Sequence, residues 1–117
     1  MSEYYEFRKK LHNIYQNDTK YGDLTGSILE YREKNRNVTT VSIQLSDYKI
    51  YVTLEQNTPS IDYDKIVFDI CAIIRSYLEN AIDNTYSKEE ANSIVVLLHT
   101  RPFLDAAYLG NTIELSL

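Results

Sequence analysis

The 117 residues contain no tryptophan, one cysteine, two prolines and three glycines. A single cysteine, Cys71, excludes a disulfide within the chain, so nothing points to an oxidising compartment. With glycine only at positions 22, 26 and 110, neither a P-loop nor a dinucleotide fingerprint can be written. Two histidines and one cysteine at wide separation lack the spacing of a zinc site. The densest carboxylate set, Asp62, Asp64 and Asp69, is spread by helix geometry over different faces. No metal or other cofactor is expected. No apolar run approaches the ~18 residues of a membrane helix. The opening "MSEYYEFRKKLHNIYQ" has no apolar stretch of the secretory kind. These absences predict a cytoplasmic protein (in the host cytoplasm if a phage encodes it) with no membrane partner.

Basic residues are also in short supply, and charge is unevenly placed. The net charge is −5. Residues 1–54 carry eight Lys/Arg and seven Asp/Glu, whereas residues 55–90 carry three basic and eight acidic side chains. The middle of the chain therefore repels phosphates and attracts a basic partner. The best candidates for a basic stripe, Arg8-Lys9-Lys10 and Arg32/Lys34/Arg36, are diluted by nearby acids. Direct nucleic-acid binding is not expected.

What is present describes one globular domain with an ordinary apolar fraction. Tyr4, Phe7, Leu11 and Ile14 make the stripe of an amphipathic helix over residues 3–16. In residues 20–32, Ser27 and Glu30 could open a short helix, but Gly22, Gly26 and the low apolar content favour a strand. The segment "VTTVSIQLSDYKIYVTLE" reads as a hairpin turning at Ser46-Asp47. That turn pairs Leu45 with Tyr48, Ile43 with Ile50, Val41 with Val52 and Thr39 with Leu54, with Gln44, Lys49 and Tyr51 on the other face.

"DYDKIVFDICAIIRSYLENAID" over 62–83 is the most apolar helix, capped by Ser60 or Asp62, and its wide stripe marks it as the central one. Cys71 falls within that stripe and reads as an inert core residue. Ser87 and Glu90 form a capping box for a third helix, although the β-branched residues at 94–96 would also suit a strand. In "HTRPFLD", Pro102 suits the first turn of a further short helix that Gly110 stops. His99 then lies at a helix C-terminus, and Asp105 could pair with Arg101. Residues 112–117 end the chain as a strand with Ile113, Leu115 and Leu117 on one face.

The sum is an α+β fold: a small antiparallel sheet, comprising a β-meander over 20–55 and a C-terminal strand over 112–117. An N-terminal helix and two to three further helices pack on one face. No arrangement of side chains suggests catalysis, so no enzyme and no catalytic residue is expected. The features that remain suit protein contact. Asp62, Asp64, Asp83, Glu89 and Glu90, with Tyr63, Tyr86 and Tyr51, are the candidate partner-binding residues. Tyrosine supplies a broad apolar surface with a polar tip, and the carboxylates supply charge for a basic surface.

The order of elements carried by "VTTVSIQLSDYKIYVTLE", "DYDKIVFDICAIIRSYLENAID" and "NTIELSL" resembles small phage anti-CRISPR proteins that inhibit Cas9. That resemblance implies an inhibitor that occupies a basic nucleic-acid-binding groove as an acidic mimic. It assigns no residue a role. An immunity protein neutralising a basic toxin would use the same physics. A homodimeric structural or accessory protein is the third reading.

Overall fold

In a computed structural model, residues 2–17, 21–35, 38–44, 49–54 and 63–116 are described, with side chains at all of these except 2–4, 17, 21 and 22. The elements run α1 (Ser2–Asn17), α2 (Tyr21–Lys34), β1 (Val38–Gln44), β2 (Lys49–Leu54), α3 (Tyr63–Thr85), α4 (Lys88–Thr100), β3 (Asp105–Leu109) and β4 (Thr112–Ser116). The four strands form one antiparallel sheet in the order β1-β2-β4-β3. The fold is α+β.

Each helix contributes the apolar stripe its spacing dictates. α1 buries Phe7, Leu11, Ile14 and Tyr15. α3 buries Ile66, Ile70, Ile74, Tyr77, Leu78, Ala81 and Ile82, and is the central helix the sequence predicts. α4 buries Ala91, Ile94 and Leu98. Alternation on the sheet supplies Ile50, Val52, Leu54, Ile113 and Leu115 to the same core, with Val41 and Ile43 half-buried beside them. Each fully buried Leu or Ile contributes roughly 1.5–3 kcal/mol of transfer free energy. The Tyr15 and Tyr77 rings meet edge-on, with centroids 6.1 Å apart, where α1 crosses α3.

Residues 20–32 do not form the expected strand; α2 occupies the segment as a helix. Leu24 and Ile28 are fully buried and Tyr31 packs against them, at spacings of four and three. That helical periodicity outweighs the glycines: Gly26 lies on the exposed face and costs no packing. Asp23 in the first turn, with Arg32 and Lys34 in the last, complements the helix dipole.

The expected helix over 102–109 is also corrected. Arg101 has φ −121° and ψ 147°, as the residue before a proline prefers. The chain stays extended, Phe103 drops into the core, and β3 follows. Gly110, at φ +65°, is the first residue of a two-residue hairpin loop, not a helix stop. Residues 94–96 are helical.

The β1–β2 register is as predicted at Ile43/Ile50 and Val41/Val52, but Leu54 faces Val38 instead of Thr39. An irregularity between Val38 and Thr40 places two threonines against Thr53. The extra residue returns Val38 to the core face, where it is buried. The Ser46-Asp47 turn, the Leu45–Tyr48 pair, Leu117 and the cap at Ser60 or Asp62 lie outside the described residues.

Candidate interaction surfaces

The candidate residues fall in three separate places. At the N-terminus of α3, Tyr63 is half-buried and its ring meets Tyr108 of β3 edge-on, with centroids 5.7 Å apart. The Tyr108 hydroxyl donates to Asp64 Oδ1 at 3.5 Å, a long and weak bond. Desolvation, and after it the Asp64 carboxylate, holds the Tyr108 phenol above its ordinary range. Phe68, one turn beyond Asp64 on the same flank, is 70% exposed. Asp62 lies outside the described residues.

The second group stands at the other end of α3. From Asp64 to Asp83 the helix rises about 28 Å, at ~1.5 Å per residue. Here Thr85 Oγ1 donates to the Ala81 carbonyl at 2.6 Å, and the Tyr86 N–H to that of Ile82 at 3.0 Å, closing α3. Ser87 Oγ accepts the Glu90 N–H at 3.4 Å and caps α4, as the capping box predicts. Tyr86 is half-buried against the core, while Asp83, Glu89 and Glu90 are exposed. None of the three carboxylates has an ion-pair partner among the described residues. Glu79, one turn before Asp83, is instead engaged by His99 Nε2. That contact fastens the end of α4 to α3 across their exposed flank.

Tyr51 is in the third place, on the sheet face away from the core. It stands opposite Ser42 on one side and Glu114 on the other. Lys49 Nζ lies 3.6 Å from the Glu114 carboxylate on the same face. No single acidic, tyrosine-bearing surface therefore unites the described candidate residues.

No family model, curated protein or solved structure matches the chain.

Asp105 pairs with Arg8 of α1 at 3.2 Å, not with Arg101 as expected. The basic positions considered for phosphate contact are partly engaged: Arg32 Nε donates to the Thr39 carbonyl and Lys34 pairs with Glu30. No group of three metal-ligating side chains occurs among the described residues. No helix among them is long and apolar enough to cross a membrane. Cys71 is half-buried, not fully buried. Desolvation pushes its thiol up, and Arg75, whose Nη2 lies 3.7 Å from Sγ, offsets this only in part. Such a thiol is a poor nucleophile.

Sequence reasoning missed the exposed apolar side chains on and beside β3: Phe68, Tyr108 at 51% and Leu109 at 56% exposure. Gly110-Asn111 between "DAAYL" and "TIELS" was the available signal, because a Gly-Asn pair between two short runs marks a two-residue hairpin turn.

Proposed function

We propose that this protein acts by binding, and that the α3–α4 corner docks on the basic surface of a macromolecular partner and blocks it. The observation that carries the proposal is the set Asp83, Glu89 and Glu90: exposed and without ion pairs among the described residues. The corner that presents them is fixed by a capped helix start and by Tyr86 packed on the core. A preformed acidic corner loses little conformational freedom on docking. Its charges raise the encounter rate and exclude acidic competitors, and the half-buried Tyr86 adds apolar contact. Proteins that hold nucleic acid have the complementary surface. A Cas9-type effector, with its positively charged channel, is one member of that class. A basic toxin is another. Anti-CRISPR inhibition and toxin immunity thus share one physical reading.

The test compares capture of host proteins by the wild-type chain and by the triple variant D83K/E89K/E90K. A specific partner captured by the wild type should bind the variant at least about tenfold more weakly, a loss of ~1.4 kcal/mol. Wild-type capture should also weaken between low salt and ~0.15 M. Capture indifferent to both charge reversal and salt would remove the corner from the interface.

A further inference from the structure

We propose that the free edge of β3 pairs with β3 of a second copy of the chain. The two strands run antiparallel about a two-fold axis at Ala107, joining two four-stranded sheets into one of eight strands.

Among the described residues β3 is a terminal strand, paired with β4 alone. The Asn111 carbonyl accepts the Leu54 N–H at 2.8 Å, so residue 111 turns its backbone groups toward β2. Alternation then directs those of Thr112, Glu114 and Ser116 toward β3. Their partners are Leu109, Ala107 and Asp105. The backbone N–H and C=O groups of Ala106 and Tyr108 therefore point away from β4, and no described residue pairs with them. All five residues of β3 are exposed, whereas burial alternates along β2 and β4.

A second copy fits this edge through the strand's own sequence. Centring on Ala107 sets Ala106 against the copy's Tyr108, and Tyr108 against the copy's Ala106. Each of these pairs exchanges two backbone hydrogen bonds, four in all. The axis falls on a non-hydrogen-bonded pair, where Cα atoms approach to ~4.5 Å. Alanine meets alanine there, so the closest approach is free of bulk. The large Tyr108 ring faces a methyl group on the helix side, and Leu109 faces Asp105 on the open side. Asp105 is the only charged residue of β3, and this register keeps it away from its own copy. Arg8 already partners it. Phe68 lies on the flank of α3 that borders Tyr108, so it too is carried toward the second copy.

Of the protections common at a sheet edge, β3 has no bulge, lysine or proline, and Asp105 is its one charge. A strand of five residues makes a small interface, so the dimer should dissociate on dilution.

Sedimentation velocity over a concentration series, with amide hydrogen exchange at high and low concentration, tests this. The mass should rise toward that of a dimer with concentration. The Ala106 and Tyr108 amides should become protected in step, while those of Asp105, Ala107 and Leu109 are protected throughout. Ala107→Lys sets two ammonium groups against each other at the axis, yet within one protomer the new charge faces Glu114. Ala106→Pro removes an outward N–H that β4 does not use. Each should raise the dissociation constant at least tenfold and leave the melting temperature at low concentration nearly unchanged. A wild-type chain that stays monomeric throughout overturns the proposal. So does a dimer insensitive to both variants, or protection of the two amides only when a different protein is added. The acidic corner is at the far end of α3, so D83K/E89K/E90K should leave this dimer intact; failure of either proposal is separable from failure of the other.

Discussion

The two edges of the sheet are finished in opposite ways. At β1 the chain engages part of its own edge. The irregularity at Thr39 and Thr40 interrupts the ladder, and Arg32 of α2 donates to the Thr39 carbonyl at 3.2 Å. α2 itself is held down by Leu24 and Ile28, and by the Tyr31 hydroxyl on Asp69 of α3 at 2.9 Å. Asn35 links the two elements: its Nδ2 donates to the Tyr31 carbonyl at 2.8 Å, and its own carbonyl accepts the Val38 N–H at 3.0 Å. At β3 no described helix residue satisfies an edge carbonyl, and Tyr108 and Leu109 stand half exposed. That difference supports the pairing proposed for β3 and does not involve the acidic corner.

The comparison is broken most directly by deleting apolar atoms on each side. Ile28→Ala removes a fully buried side chain beneath the β1 edge and should cost ~2–5 kcal/mol in chemical denaturation. Leu109→Ala on β3 should change monomer stability by no more than about 0.5 kcal/mol. Equal losses would mean that the β3 edge is packed in the monomer after all.

A smaller effect is expected at the β3–β4 hairpin. Gly110 sits at φ +65°, and a Cβ there would meet no atom within 4 Å. Gly110→Ala therefore suffers only the backbone penalty of the left-handed region, about 1–2 kcal/mol. Gly110→Asn should recover part of it, because asparagine tolerates that region. If thermal melts rank asparagine below alanine, the loop does not hold β3 in the way described.

The same contrast explains what the sequence could reveal. The central helix, the Ser87 cap and the Ile43/Ile50 and Val41/Val52 pairs follow from periodicity and end signals strong enough to stand alone. α2 was hidden because its stripe is only Leu24, Ile28 and Tyr31, and two glycines masked it; its helical state depends on packing against α3 and β1. β3 was hidden because it buries none of its five side chains, so no alternation marks it. Pro102 and Gly110 punctuate a strand as readily as a helix. The acidic residues of the candidate surface were legible as a composition, and the helix predicted over 62–83 already sets Asp64 and Asp83 at opposite ends; what chain order could not show is that β3 brings Tyr108 to Asp64. Edge strands and exposed aromatics become visible only once strand order is known.

The smallest effect concerns the tie that holds α2 against α3. Lys65 Nζ lies 2.9 Å from Asp69 Oδ2, which also accepts the Tyr31 hydroxyl. The Lys65 hydrogen bond, and then that of Tyr31, hold the Asp69 carboxyl below the usual range despite some desolvation. A depressed carboxyl stabilises the folded state above its unfolded pKa of ~3.9, and this stability is lost as pH falls through the lower folded value. Asp69→Asn should thus be slightly less stable than wild type at neutral pH, by under about 1 kcal/mol for so exposed an ammonium partner. The gap should close in acid. Tyr31 reports from the other side: desolvation, and then the bond to Asp69 and its charge, raise its phenol above the ordinary range. That stability is complete below the ordinary tyrosine pKa of ~10 and declines above it. Denaturation midpoints of Tyr31→Phe should accordingly be flatter than those of wild type in alkali. Parallel alkaline limbs for the two proteins would show that Tyr31 is not the group holding α2, and through it the β1 edge, in place.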